Sequence, residues 1–122
     1  MVHVITSKAE FDQILKENEK VVLDAWATWC GPCKLIGPVF AKLEPKFEGI
    51  KFVKVDVDEQ SEIAQQLQIR AMPTFIAFVG GERFDDFVGA VPKKLEELLV
   101  KVKDAPVLEK NEEEEAKATK TD

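Results

Sequence analysis

The run Lys20–Trp26, K-V-V-L-D-A-W, narrows the folds open to this chain more than any other stretch. It has the length of a strand, and apolar side chains fill nearly all of it rather than every second position. A strand with one wet face alternates apolar and polar residues. A nearly continuous apolar run fits a central strand covered on both faces, as in sheets sandwiched between helices. Lys51–Val57 (K-F-V-K-V-D-V) is also strongly strand-like.

Helical signals separate the strands. After a short edge strand over Met1–Ile5, Ser7 opens a helix: Ser7-x-x-Glu10 is a capping box, and Phe11, Ile14 and Leu15 repeat at helical spacing. Cys33–Phe47 reads as a helix with an apolar stripe of Leu35, Ile36, Val39, Phe40 and Leu43, and Pro38 inside it removes one backbone bond. Gln60–Leu67 is a third helix. Thr74–Val79 and Glu82–Val88 form a hairpin through Gly80-Gly81. Pro92 suits the first turn of a last helix, with Leu95, Leu98, Leu99 and Val102 on one face. The order β-α-β-α-β-α-β-β-α implies parallel pairs with right-handed crossovers early and an antiparallel edge late. The expected class is α/β: a three-layer α/β/α sandwich with a central mixed sheet of about five strands flanked by four helices.

A length of 122 residues fits one domain with a core large enough to need no staple. The domain is expected over residues 1–105, and residues 106–122 as an acidic, disordered tail. From Glu109 onward six acids face three lysines, which is half of the chain's net charge of −6. A solvated, solubilising tail is the plain reading; docking to a basic partner is the other. No basic cluster with interleaved aromatics points to nucleic acid. No apolar run approaches membrane-spanning length, and no secretory signal opens the chain. A cytoplasmic, reducing setting is therefore expected, where a cysteine pair more often serves redox or metal chemistry than a lasting disulfide.

The two cysteines, Cys30 and Cys33, stand in W-C-G-P-C-K, between the apolar strand and the next helix. Zinc normally requires four ligands, but no second pair exists and the single histidine, His3, lies on another strand. That leaves only a metal shared between two chains. A disulfide closing so small a loop would add little stability. A redox pair fits best. Cys30 falls at a helix N-terminus, at the carboxyl end of a central strand, where free N–H groups and the helix dipole favour a thiolate and lower its pKa. Cys33, one turn further in, is expected to be the more buried. It can attack a mixed disulfide formed by Cys30 and release the other half of the substrate.

Asp24 shares a strand face with Val22 and Trp26, where an unpaired carboxylate is costly and burial raises its pKa toward neutrality. A strand-end aspartate that reaches solvent is the alternative. Trp29 sits in the loop that must expose the nucleophile, so a substrate contact suits it, whereas Trp26 reads as packing.

W-C-G-P-C, together with Asp24 before it, Met72-Pro73-Thr74 after the third helix and Val88-Gly89-Ala90 after the last strand, resembles the thioredoxin family over roughly residues 1–104. The resemblance implies a protein-disulfide reductase in which Cys30 attacks, Cys33 resolves and Asp24 carries the proton. It pairs Lys54 with Asp24, although the sequence alone equally allows a solvent-facing lysine. It makes the Met72–Pro73 bond cis and turns it toward the cysteines. It also assigns Trp29, Gly31, Pro32, Met72, Pro73, Gly89 and Ala90 to an apolar substrate groove. Without it, Pro73 simply starts a strand and Gly89 simply ends one. No bound cofactor or metal is implied, because the Cys30–Cys33 pair stores the electrons. Partners would be disulfide-containing proteins and a thioredoxin reductase drawing on NADPH, with the chain acting as a monomer. A disulfide isomerase or oxidase domain is disfavoured by Pro32, where such domains typically carry histidine. A non-catalytic docking module is the remaining alternative.

Overall fold

In the computed structural model, which describes residues 1–107, Lys20–Trp26 is the middle strand of a five-stranded sheet. The elements are β1 (His3–Val4), α1 (Lys8–Glu17), β2 (Lys20–Trp26), α2 (Gly31–Leu43), β3 (Lys51–Asp56), α3 (Ser61–Gln66), β4 (Thr74–Val79), β5 (Glu82–Val88) and α4 (Pro92–Asp104). The sheet order is β1-β3-β2-β4-β5, with β1–β3 and β3–β2 parallel and the other pairs antiparallel. The expected sandwich and its late antiparallel edge are thus both present.

The apolar run of β2 is continuous because the strand serves two cores. Val22 packs into a cluster with Ile36, Phe40, Leu95 and Leu99 from α2 and α4. Val21, Leu23 and Ala25 pack on the other face with Phe11, Ile14 and Ile63 from α1 and α3. Alternate side chains of a strand point to opposite faces, so a strand covered on both sides has no wet position to give to a polar residue. Burying each such aliphatic side chain contributes roughly 2 kcal/mol. Asp24 has the parity of Val22 and therefore faces the α2/α4 layer. Directly across from it in register lie Lys54 on β3 and Phe75 on β4.

Local signals set the ends of the elements. The Ser7 hydroxyl accepts from the Glu10 N–H at 3.0 Å, and Glu10 reaches back to the Thr6 N–H. Gly80 and Gly81 both have positive φ (63° and 82°), the conformation a two-residue hairpin turn demands. Lys20 spans from β2 to donate to the carbonyls of Lys103 and Ala105, each at 2.9 Å, filling acceptors that the end of α4 leaves open.

Some boundaries differ from those the sequence predicts. The second helix begins at Gly31 rather than Cys33 and ends at Leu43, followed by a separate 3₁₀ turn at Glu44–Lys46. Pro45 accounts for the early end, since its nitrogen carries no hydrogen to continue the α-helical bonding. The Glu44 N–H bonds the Ala41 carbonyl in the tighter 3₁₀ pattern, although Glu44 keeps α-region angles. Leu35 is not part of the buried stripe but 77% exposed. The row that faces the sheet is Cys33, Ile36, Phe40 and Leu43, and Leu35 stands one residue, about 100°, around the helix from it. β1, β3 and α3 are shorter than expected by one to three residues. The acidic tail from Leu108 onward lies outside the described residues. Among those described, no helix is long and apolar enough to cross a membrane.

Candidate active site

Cys30 is the N-cap of α2. Its Sγ accepts from the Cys33 N–H at 3.1 Å, and its own N–H is held by the Ala27 carbonyl at 3.1 Å. The cap position aims sulfur at the open N–H groups of the first turn, where the helix dipole favours negative charge on it. Pro32 costs nothing in that turn because its N–H would have had no partner. The two sulfurs are joined in a disulfide, with the Cα atoms 5.3 Å apart.

Burial does not separate the two cysteines as expected: Cys30 is 4% and Cys33 5% exposed. The bond holds both sulfurs under one cover, packed with Ala27, Trp26, Val57 and Met72. Of the predicted groove residues, Met72 packs directly against this pair, and the rest differ in exposure. Trp29 is 67% exposed. Gly31 and Pro32 are exposed, and Met72, Gly89 and Ala90 are half-buried. Pro73 is buried and so forms the floor rather than the rim. The Met72–Pro73 bond is cis. The Gly89 N–H donates to the Pro73 carbonyl at 2.9 Å. Gly89 has φ +118°, a conformation closed to side chains with a Cβ, so glycine is required there beyond merely ending β5.

The sequence reading missed Asp58. Its Oδ2 accepts from the Trp29 indole Nε1 at 2.9 Å, while its own N–H donates to Asp56 Oδ1 at 2.9 Å. The loop after β3 thus fixes the exposed ring beside Cys30. Nothing in the spacing marks this pair, because the contact exists only once β2 and β3 lie side by side. Asp58→Ala should release the ring and raise KM for a protein disulfide roughly three- to tenfold at unchanged kcat, the scale of one hydrogen bond. An unchanged KM in a steady-state disulfide-reduction assay would show that the ring needs no anchor.

Asp24 is 3% exposed, and its Oδ1 has no hydrogen-bond partner. Burial pushes its carboxyl up to about 7, while the positive charge of Lys54 across the sheet opposes the rise. Lys54 does not close an ion pair with it. Its Nζ instead lies 5.9 Å from the centre of the Trp26 ring. Trp26 is therefore more than packing: it carries this cation, and its Nε1 is buried without a partner. A cavity of about 360 Å³ runs behind α2 and is lined by Asp24, Cys33, Trp26 and Lys54 among others, so the buried acid and the second cysteine border one space. Among the described residues no three His, Cys, Asp or Glu side chains converge to hold a metal.

A capping cysteine bonded to its i+3 partner at the carboxyl edge of a central strand, backed by a buried carboxyl and flanked by a cis-proline loop, defines a thiol–disulfide oxidoreductase. Comparison with known proteins gives the family. The thioredoxin family's sequence profile matches residues 2–103, and the chain belongs to that family. It is 55% identical over 97 residues to a thioredoxin of Malassezia sympodialis, covering 78% of this chain and 92% of that one. The crystal structure of the Malassezia sympodialis protein superposes with a TM-score of 0.80 at 50% identity, over 84% of this chain and 91% of that one. A structure solved in work on thiol resolution in a yeast mitochondrial 1-Cys peroxiredoxin matches with a TM-score of 0.79 at 38% identity, over 82% and 94% of the two chains.

Proposed function

We propose that this thioredoxin reduces disulfides in target proteins, with Cys30 as nucleophile, Cys33 as resolving thiol and Asp24 as proton acceptor. In the reduced protein the Cys30 thiolate attacks a target disulfide, forming a mixed disulfide and freeing one target thiolate, which takes a proton. Cys33 gives its proton to the Asp24 carboxylate and attacks Cys30 Sγ. The Cys30–Cys33 disulfide closes and the second target sulfur leaves as a thiolate. The reaction oxidises this chain by two electrons and reduces the target by two. The observation that carries this reading is the space behind α2 that both Asp24 and Cys33 line, with the Asp24 carboxyl raised to about 7.

Trp29, Gly31, Pro32, Met72, Gly89 and Ala90, over the floor of Pro73, would receive the target as an extended segment. A flavin-dependent thioredoxin reductase drawing on NADPH would restore the dithiol, in the cytoplasm, with the chain working as a monomer over residues 1–105. The family membership supports this assignment. A peroxiredoxin with a single, oxidised cysteine is a further candidate target, because one matching structure comes from work on thiol resolution in such a protein.

The test is equilibration of the pair in graded dithiothreitol buffers, read by tryptophan fluorescence from Trp26 and Trp29. A midpoint near −270 mV, approximately the value characteristic of the family rather than of any geometry here, supports a reductant. A midpoint near about −180 mV or higher would mark an isomerase or oxidase instead.

A further inference from the structure

The cavity behind α2 has the composition of a ligand site as well as a proton route. Its volume of about 360 Å³ falls within the range of small-molecule pockets, which begins near roughly 300 Å³. Val2, Trp26, Pro38 and Phe40 give it apolar walls, and two lysines, Lys34 and Lys54, line it against a single acid, Asp24. Neither lysine reaches a carboxylate within ion-pair distance among the described residues. Gly37 of α2 also lines it, and a Cβ added there would meet nothing within 4 Å, so a larger side chain has room at that position.

We propose that this cavity binds a small carboxylate with a flat apolar body, the body against Trp26 and Phe40 and the anionic end on Lys34 and Lys54. Charge decides the class. Two cations and one acid that is half protonated near neutral pH leave the cavity net positive, so an anion is favoured over an amine of the same shape. The flat body follows from the indole wall. Such an occupant would rest against Asp24 and Cys33. On the reading of Asp24 as proton acceptor it would then slow closure of the disulfide without touching the substrate groove.

The coupling has a sign. An anion beside Asp24 favours the protonated carboxyl, so by reciprocity binding weakens as pH rises through about 7. The other groups facing Asp24 do not reverse this. They are the lysines Lys54 of β3 and Lys34 of α2, the apolar Phe75 of β4 and Val2, and Cys33, which in the disulfide does not titrate.

The probe is phenylacetate, titrated into the ¹⁵N-labelled oxidised protein and followed by the indole resonances of Trp26 and Trp29. We expect a saturable shift of the Trp26 indole at roughly millimolar concentration, with the Trp29 indole unmoved on Asp58. Binding should be about three- to tenfold weaker at pH 8 than at pH 6, several-fold weaker in Lys34→Met and Lys54→Met, and lost in Gly37→Leu, which adds bulk at a lining position. A Trp26 resonance that never saturates would mean that the cavity holds water only. Equal affinity for phenylacetamide would overturn the carboxylate class. If Gly37→Leu does not fold, the two lysine variants decide. Because no turnover occurs in the oxidised protein, failure here leaves the reductase reading intact, and failure of that reading leaves the binding result intact.

Discussion

Cys30→Ser is expected to abolish disulfide reduction, lowering turnover by roughly 10³- to 10⁶-fold, the range seen when a covalent mechanism loses its nucleophile. A serine hydroxyl at the same N-cap accepts the same Cys33 N–H, so the helix start and the fold are retained while the thiolate is gone. Cys33→Ser should behave differently: one equivalent of target is attacked, a mixed disulfide on Cys30 accumulates, and turnover stops there. Mass spectrometry of the quenched reaction separates the cases. The adduct should appear in Cys33→Ser and in neither the parent protein nor Cys30→Ser. An adduct on Cys33 in the Cys30→Ser protein, with turnover preserved, would reverse the two roles. Survival of the biological activity in Cys30→Ser would favour a docking module over an enzyme.

Asp24→Asn should make the protein more stable and slower. The carboxyl is raised from 3.8 to about 7, so between those values the folded chain keeps a proton that the unfolded chain has released. The folded state then binds more protons, and stability falls as pH rises from about 4 to about 7 and is level above that. The full effect on an almost completely buried group is at most about 4 kcal/mol. Urea denaturation of the oxidised protein should therefore show Asp24→Asn close to the parent at pH 4 and up to about 4 kcal/mol more stable at pH 8. The same stability difference at both pH values would rule out a buried, titrating carboxyl as its cause. In the reduced protein the variant lacks the acceptor for the Cys33 proton, and single-turnover release of target thiol should slow by roughly 10²-fold near neutral pH. That deficit should shrink at high pH, where hydroxide can remove the proton instead.

These outcomes trace to features with different legibility. The cysteine pair could be read directly, because N-capping, the adjacent proline and the position after an apolar strand are all local in sequence. Asp24 could be read as an anomaly, an acid in a run with no wet face. Lys54 could not be settled from the chain. Its position opposite Asp24 is a matter of strand register, and its ammonium's place over Trp26 is a matter of packing. Leu35 was misplaced because apolar residues at 35 and 36 are equivalent in any count of helical spacing. Only the angle at which α2 lies on the sheet chooses between them.

What the sequence by itself determined is the set of elements, their α/β order and the redox pair, since each depends on periodicity, caps and turn residues within a few positions. The tertiary structure decided everything that depends on distant segments meeting. It tied Asp58 to Trp29 across 29 residues, joined Gly89 to Pro73, gave the two cysteines equal cover and opened the cavity that Asp24 shares with Cys33. The physical reason is that hydrogen-bond partners and voids are properties of packed surfaces, and a surface made by several strands and a helix is encoded in none of them alone.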